Sequence, residues 1–234
     1  MSVAENYCRV TENIAAACIE AGRSTEDVKL IAVTKYVDTG RIAEAVAAGA
    51  KSVGENRVQE YREKQEFFKD NGLEVHLIGQ LQTNKVKYIV GNGVLIQSVD
   101  RMELAKEISR VALNRGVIQD ALIEVNIGGE AQKGGVAPEG LIGFLELVSA
   151  LPNIRVKGLM CVPPAVGEEG ARAYFAAMRR LFEDIRGMNI PNTDMRELSM
   201  GMSGDYKAAI LEGATMVRVG TGIFGARSGP GAGA

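Results

Sequence analysis

The chain has 234 residues, a net charge of −2 and a pI near 5.7. Apolar residues make up 46% and charged residues 24%, which is enough to bury a core and to keep a polar surface. So small a net charge offers no general attraction to nucleic acid or to an anionic membrane, and no apolar run reaches the length of a membrane span. We therefore expect neither as a partner.

The three cysteines, Cys8, Cys18 and Cys161, lie far apart and form no CxxC pair. This spacing is typical of free thiols in a reducing compartment, and the amino-terminal segment has no apolar signal core. His76 is the one histidine, so the chain offers little from which to build a zinc site. We expect a cytoplasmic monomer without a bound metal.

Hydrophobic periodicity divides the chain into a regular series of elements. Apolar residues recur at steps of three and four from Val3 to Cys18, which predicts an amphipathic helix that ends at Gly22. Eight short apolar runs follow, and we interpret them as strands: Leu30–Val33, Ser52–Val53, Val75–Ile78, Val94–Ile96, Ala121–Val125, Val156–Met160, Glu197–Ser199 and Met216–Val219. Helical patterns separate them: Thr39–Ala48, Arg57–Asp70, Asn84–Val90, Arg101–Arg115, Pro138–Ala150, Glu168–Arg186 and Gly204–Leu211.

The predicted strands are nearly unbroken apolar runs, as in a parallel sheet that is buried on both faces. Repeated strand–helix units give either an open doubly wound sheet or a closed barrel. Eight units in this length favour a (β/α)8 TIM-type barrel, with the additional N-terminal helix outside it. We predict one domain over residues 1–227, a loop with Glu130 and Lys133 over the barrel mouth, and a disordered Gly/Ala tail over residues 228–234.

The segments after strands seven and eight are where phosphate sites commonly form in such barrels. Ser203 precedes the last long helical pattern, and Gly220 and Thr221 begin a stretch with little side-chain obstruction. Together they predict an anion site with a hydroxyl and free backbone N–H groups. The alternative is that Ser203 is a helix N-cap and that the glycines form a simple turn.

Lys35 directly follows the apolar run of the first strand. Partial desolvation at the barrel rim favours a neutral amine, which attacks an aldehyde to form an imine. On its own, a lysine at a strand end is more often a solvated side chain. A ligand that carries both an aldehyde and a phosphate is pyridoxal 5′-phosphate, and a barrel mouth is wide enough for such a ligand to bridge Lys35 and the predicted phosphate site.

Three further polar residues lie in or beside predicted strands. Arg218 needs a partner in its apolar strand, either a pyridine nitrogen or a carboxylate such as Glu55 or Glu124. Asn56 either holds the cofactor ring or its 3-oxygen, or caps a helix. His76 lies within an apolar strand, which favours a hydrogen-bonded core histidine over a general base.

At these residues the sequence resembles the pyridoxal phosphate homeostasis protein family. The similar segments run in order through nearly the whole chain: Leu30–Lys35, Gly54–Glu60, His76–Lys85, Ile96–Arg101, Val125–Ile127, Gly158–Met160, Leu198–Asp205 and Val217–Arg227. The resemblance implies an alanine-racemase-like barrel that holds this vitamin B6 cofactor as a Schiff base on Lys35. It also implies phosphate contacts at Ser199 or Ser203, at Gly220 and at Thr221, with Arg218 facing the pyridine nitrogen.

Two functions remain open for such a barrel, besides the binding of some unrelated phosphorylated metabolite. One is a carrier that buffers pyridoxal phosphate and delivers it to apo-enzymes; the other is a racemase-like enzyme. Racemisation needs an acid/base group on each face of the substrate, and Lys35 supplies one. We find no tyrosine or cysteine at a strand end for the other face, and we expect the β-rich domain of alanine racemases, with its tyrosine base, to be absent. An arginine that faces the ring also leaves it a poor electron sink, so we favour the carrier.

Overall fold

Eight parallel strands close into a barrel in the computed structural model, which describes residues 1–225. The strands are β1 Lys29–Val33, β2 Ser52–Glu55, β3 Glu74–Leu77, β4 Val94–Val99, β5 Gln119–Val125, β6 Ile154–Cys161, β7 Thr193–Met202 and β8 Met216–Val219. The α-helices are α1 Val3–Glu20, α2 Thr39–Ala47, α3 Val58–Asp70, α4 Met102–Arg115, α5 Leu141–Ser149, α6 Gly167–Met188, α7 Tyr206–Leu211 and α8 Thr221–Phe224.

The strand order follows the chain, and β8 pairs with β1 to close the sheet, with Ala32 beside Val219. The predicted (β/α)8 barrel is confirmed, and each of the eight predicted strands overlaps an observed one. Short strands such as β2 and β8 are buried at every position, as expected of strands enclosed by helices on one side and by the barrel interior on the other. The predicted tail lies outside the described residues.

The additional N-terminal helix is also confirmed. Ser2 caps α1 by accepting the N–H of Glu5, whose side chain bonds back to the backbone of Ser2, which satisfies two N–H groups at the helix start. The buried face of α1 packs on α7 and α8 outside the barrel. None of the helices in the described residues combines the length and the apolar character that crossing a membrane requires.

Two segments differ from the predicted helices. The segment predicted as a helix over residues 84–90 is a 3₁₀-helix at Thr83–Tyr88, with the N–H of Ile89 bonded to the carbonyl of Val86. Gly91 follows with φ +80°, so the chain turns before a longer helix can form. The helix predicted from Pro138 begins with a single 3₁₀ turn, and α5 starts at Leu141.

Candidate functional site

Lys35 lies just beyond the carboxyl end of β1, which is flanked by β2 and β8. The backbone of Thr34 still bonds to the sheet, because its N–H donates to the carbonyl of Gly54 at 2.9 Å. Lys35 is partly buried, whereas Tyr36 is 60% exposed and has a φ of +60°. The chain therefore turns sharply after Lys35, which places this lysine at the rim of the barrel.

A buried lysine that was not predicted from the sequence stabilises the backbone beside Lys35. The Nζ of Lys64, on α3, donates to the carbonyl oxygen of Thr34 at 2.8 Å and to Oε1 of Glu55 at 2.9 Å. The hydroxyl of Thr34 donates to the same carboxylate oxygen at 2.6 Å. Burial raises the pKa of Glu55, although the charge of Lys64 opposes this shift. Lys64 thus holds the backbone on the amino side of Lys35.

The carboxyl side of Lys35 has a similar contact. The N–H of Tyr36 donates to Oε2 of Glu60 at 2.7 Å, and this same oxygen lies 3.7 Å from Nζ of Lys64. Glu60 and Lys64 are one helical turn apart on α3, so a single helix contacts the peptide groups on both sides of Lys35. The pattern of α3 indicated only an amphipathic helix and did not mark these two residues as part of a site.

Asn56 directly follows β2 at the same end of the barrel. It does not cap α3, because the N-cap residue is Arg57. The Oδ1 atom of Asn56 is buried and has no hydrogen-bond partner within the described residues. Gly79 permits this packing, since a Cβ at that position would collide with the carbonyl of Asn56. A buried acceptor without a partner is expected where a polar ligand binds.

The loops after β7 and β8 meet at one hydroxyl group. Oγ of Ser203 accepts the backbone N–H groups of Gly220 and Gly222, each at 3.2 Å. Thr221 lies between these two donors, at the exposed start of α8. The three residues predicted to bind a phosphate, Ser203, Gly220 and Thr221, are therefore brought together, with two N–H donors directed at the same point.

The alternative role of Ser203 as a helix N-cap is wrong. Helix α7 begins at Tyr206, and its N-cap residue is Asp205. Oδ1 of Asp205 accepts the N–H of Met202 at 2.6 Å, so this side chain stabilises the turn between β7 and α7. That turn leaves Ser203 outside the helix and free to contact the loop after β8.

Arg218 projects into the barrel interior from β8. Nη1 donates to Oγ of Ser199 at 2.6 Å, and Nη2 donates to the carbonyl oxygen of Cys161 at 2.8 Å. An ion pair with Glu55 is excluded, because Glu55 is held by Lys64. Glu124 acts on Arg218 through charge attraction without an ion pair. Ser199 therefore bonds to Arg218, whereas Ser203 bonds to the loop after β8, and the two predicted phosphate ligands contact different groups.

Glu124 near the carboxyl end of β5 is an unusual acid. Burial and repulsion by Asp100 raise its pKa to about 7, although Arg218 opposes this shift. The group therefore titrates close to neutral pH, which the sequence alone did not indicate. Within residues 1–225, no cluster of three or more histidine, cysteine, aspartate or glutamate side chains could hold a metal ion.

The loop that was predicted to cover the barrel mouth is attached to the next strand connection. Nζ of Lys133 donates to the carbonyl oxygen of Pro163 at 3.0 Å and lies 2.5 Å from Oε2 of Glu130. The amide of Asn126 bonds to the backbone of Glu130. These contacts fold the loop back on the carboxyl end of the barrel. Its mobility stays a prediction.

Sequence comparison relates this chain to one protein family along nearly its whole length. The alanine racemase N-terminal domain model matches residues 7–228. A pyridoxal phosphate homeostasis protein of Aquifex aeolicus is 48% identical, over 97% of this chain and 99% of its own length. The chain belongs to the pyridoxal phosphate homeostasis protein family.

Two solved structures resemble this family member along most of its length. A protein from Bifidobacterium adolescentis, described only as an unknown protein, is 40% identical with a TM-score of 0.89, covering 95% of this chain and 94% of that chain. PipY of Synechococcus elongatus, solved with pyridoxal phosphate bound, is 35% identical with a TM-score of 0.79, covering 92% of this chain and all of that chain. The resemblance noted in the sequence is thus confirmed at the level of family and fold.

Proposed function

We propose that this protein binds pyridoxal 5′-phosphate as a Schiff base on Lys35 and carries, buffers and delivers it in pyridoxal phosphate homeostasis. The observation that carries the proposal is the placement of Ser203 and the Gly220 and Gly222 N–H groups beside β1, at the end of the barrel where Lys35 lies. An amine and an anion site on neighbouring strands match a small ligand with an aldehyde and a phosphate.

The residues present fit this cofactor. When bound, pyridoxal phosphate supplies an aldehyde that combines with an amine and a ring that accepts electrons. Ser203, Gly220 and Thr221 offer a hydroxyl and N–H groups to the phosphate. Arg218 would face the pyridine nitrogen and, because a guanidinium group only donates, would keep that nitrogen unprotonated. The unpartnered Oδ1 of Asn56 supports a role for this residue beside the ring.

The racemase-like alternative is weaker for a structural reason. Cys161, which was not predicted as a strand-end residue, ends β6 at the same end of the barrel as Lys35. Its thiol is fully buried, and burial raises its pKa to about 12, so it is a poor base at neutral pH. Its carbonyl oxygen is held by Arg218. A pyridine ring that faces an arginine also stabilises a carbanion poorly. Both points favour a carrier over a catalyst.

We propose that the protein performs this function in the cytoplasm. The cysteines Cys8, Cys18 and Cys161 are free, which suits the reducing cytoplasm. The recipients are apo-enzymes that depend on pyridoxal phosphate, and the carrier acts as a monomer. The solved PipY structure with bound pyridoxal phosphate supports the choice of ligand.

A transfer experiment tests the carrier role. The protein is loaded with pyridoxal phosphate, freed of excess cofactor and mixed with an apo-enzyme, either directly or across a dialysis membrane. We expect the apo-enzyme to be activated faster in direct contact with the loaded protein than when released cofactor must cross the membrane. Lys35→Ala should lose the Schiff base and deliver no cofactor, and Lys51→Ala, which removes an exposed lysine at the opposite end of the barrel, is its control. Equal rates in both arrangements would contradict delivery, and a wild-type protein that takes up no cofactor would contradict the whole proposal.

A further inference from the structure

A line of polar side chains crosses the interior of the barrel toward the cofactor end. The links are Arg218 Nη1 to Ser199 Oγ at 2.6 Å, Ser199 Oγ to Gln97 Oε1 at 2.7 Å, Gln97 Nε2 to His76 Nδ1 at 2.9 Å, and His76 Nε2 to Glu74 Oε1 at 3.4 Å. Ser199, Gln97 and His76 are fully buried, and Glu74 lies at the opposite, solvent-exposed end. His76 is thus the hydrogen-bonded core histidine that its strand predicted.

The charge at Glu74 sets the tautomer of His76. The contact with His76 and the ion pair with Lys29 at 2.7 Å together lower the pKa of Glu74 to about 2, so this carboxylate is ionised and only accepts. Nε2 of His76 lies 3.4 Å from this carboxylate without hydrogen-bond geometry, and attraction by the negative charge favours the hydrogen on Nε2. Burial lowers the pKa of His76, which keeps the ring neutral, and Nδ1 is left as an acceptor. Lys29 and Glu197 also act on this ring through their charges, in opposite directions.

The tautomer of His76 then fixes the hydrogen-bonding orientation of Gln97 and, through it, of Ser199. An acceptor at Nδ1 requires the NH₂ end of the Gln97 amide to face the histidine, so its carbonyl oxygen faces Ser199. The hydroxyl of Ser199 has one hydrogen, which it donates to that carbonyl. Only a lone pair remains toward Arg218, and this is what a guanidinium donor needs. Each link permits one orientation of the next.

We infer that Gln97 is a positioning residue that sets the hydroxyl of Ser199 and, through it, the orientation of the Arg218 guanidinium. The alternative amide orientation would direct N–H groups at Ser199 from both Gln97 and Arg218. The serine hydrogen would then have no acceptor among the contacts of the described residues. The order of donors and acceptors from Arg218 to Glu74 needs no cofactor. Only the consequence of this order for the pyridine nitrogen rests on the proposed function.

The single histidine makes the first test unambiguous, because nitrogen NMR of the cofactor-free protein reports His76 alone. We expect a neutral ring with the hydrogen on Nε2 in the wild type at neutral pH. Gln97→Glu replaces the amide donor by an acceptor, so Nδ1 must gain a hydrogen, and the histidine should titrate at higher pH than in the wild type. Gln65→Glu makes the same change on the exposed face of α3 and should leave His76 unaltered. A wild-type ring with its hydrogen on Nδ1 would overturn the inference even if the Gln97 variant does not fold.

The second test measures the effect on the cofactor end. Gln97→Leu leaves Ser199 without its acceptor, and we expect pyridoxal phosphate to bind about five- to tenfold more weakly, with a shifted absorbance band. Gln65→Leu should bind as the wild type does. If the wild type takes up the cofactor and Gln97→Leu matches it in affinity and spectrum, the positioning role is wrong while the proposed function stands. If the wild type takes up no cofactor, the proposed function is wrong. The NMR result then still decides the order of donors and acceptors from Arg218 to Glu74.

Discussion

The ammonium group of Lys64 lies 2.8 Å from the carbonyl oxygen of Thr34, the residue before Lys35. The same ammonium pairs with the buried carboxylate of Glu55 at 2.9 Å. A charged group buried among acceptors is costly to remove, because the partners lose their hydrogen bonds in a place that water does not reach. The position of Lys35 thus depends on Lys64, whose ammonium group donates to the Thr34 carbonyl and to Glu55.

Lys64→Met tests this support. The substitution keeps the apolar stem but removes the ammonium group, so Glu55 keeps only the Thr34 hydroxyl as a donor and the Thr34 carbonyl keeps only the N–H of Val37. We expect the free energy of unfolding to fall by about 3 kcal/mol. Chemical denaturation measures this change. Lys69→Met, at an exposed position of the same helix, should change stability by no more than about 0.5 kcal/mol. Equal effects of the two substitutions would show that Lys64 is an ordinary surface lysine.

Glu124 predicts a dependence of stability on pH near neutrality. Its pKa is raised to about 7 in the folded protein from an ordinary value of 4.5, so folding favours the protonated form. The stability that this group contributes is fully present below pH 4.5 and is lost as the pH rises through about 7. We expect Glu124→Gln to match the wild type at acid pH and to exceed it by about 1–3 kcal/mol at pH 8.5.

Denaturant titrations at pH 4.5 and pH 8.5 measure this difference. Glu139→Gln, at an exposed position before α5, is the control and should show no such pH dependence. If Glu124→Gln differs from the wild type by the same amount at both pH values, the carboxylate does not titrate near neutrality.

Ser203 predicts a loss that is specific for phosphate. Ser203→Ala removes the hydroxyl at which the Gly220 and Gly222 N–H groups meet, and we expect about fivefold weaker binding of pyridoxal phosphate. Pyridoxal, which has the aldehyde but no phosphate, should bind the variant and the wild type equally. Equilibrium titration followed by absorbance measures both ligands. An equal loss for both would mean that Ser203 shapes the site without contacting the phosphate.

Most of the fold could be predicted from the sequence, because each strand is a compact apolar run that burial on both faces requires. The run over residues 30–33 and the run over residues 216–219 lie within β1 and β8, which close the barrel. The short helical pattern before Gly91 misled the prediction, since periodicity over one or two turns does not distinguish an α-helix from a 3₁₀-helix.

The site was less accessible to sequence analysis where it depends on contacts between distant residues. Lys64 looked like any lysine of an amphipathic helix, and its partners Thr34 and Glu55 come from two different strand ends. Ser203 had the sequence of an N-cap, but the turn at Asp205 moves the helix start beyond it. Gln97 lies within a strand, and only the closed barrel places it between His76 and Ser199.

Borohydride trapping tests the central claim most directly. The protein is incubated with pyridoxal phosphate, reduced with borohydride, digested and analysed by mass spectrometry to locate the modified lysine. We expect the label on Lys35 at near-stoichiometric yield, and its loss in Lys35→Ala but not in Lys51→Ala. A label located mainly on Lys64 or on another lysine, or an unchanged yield in Lys35→Ala, would contradict the account.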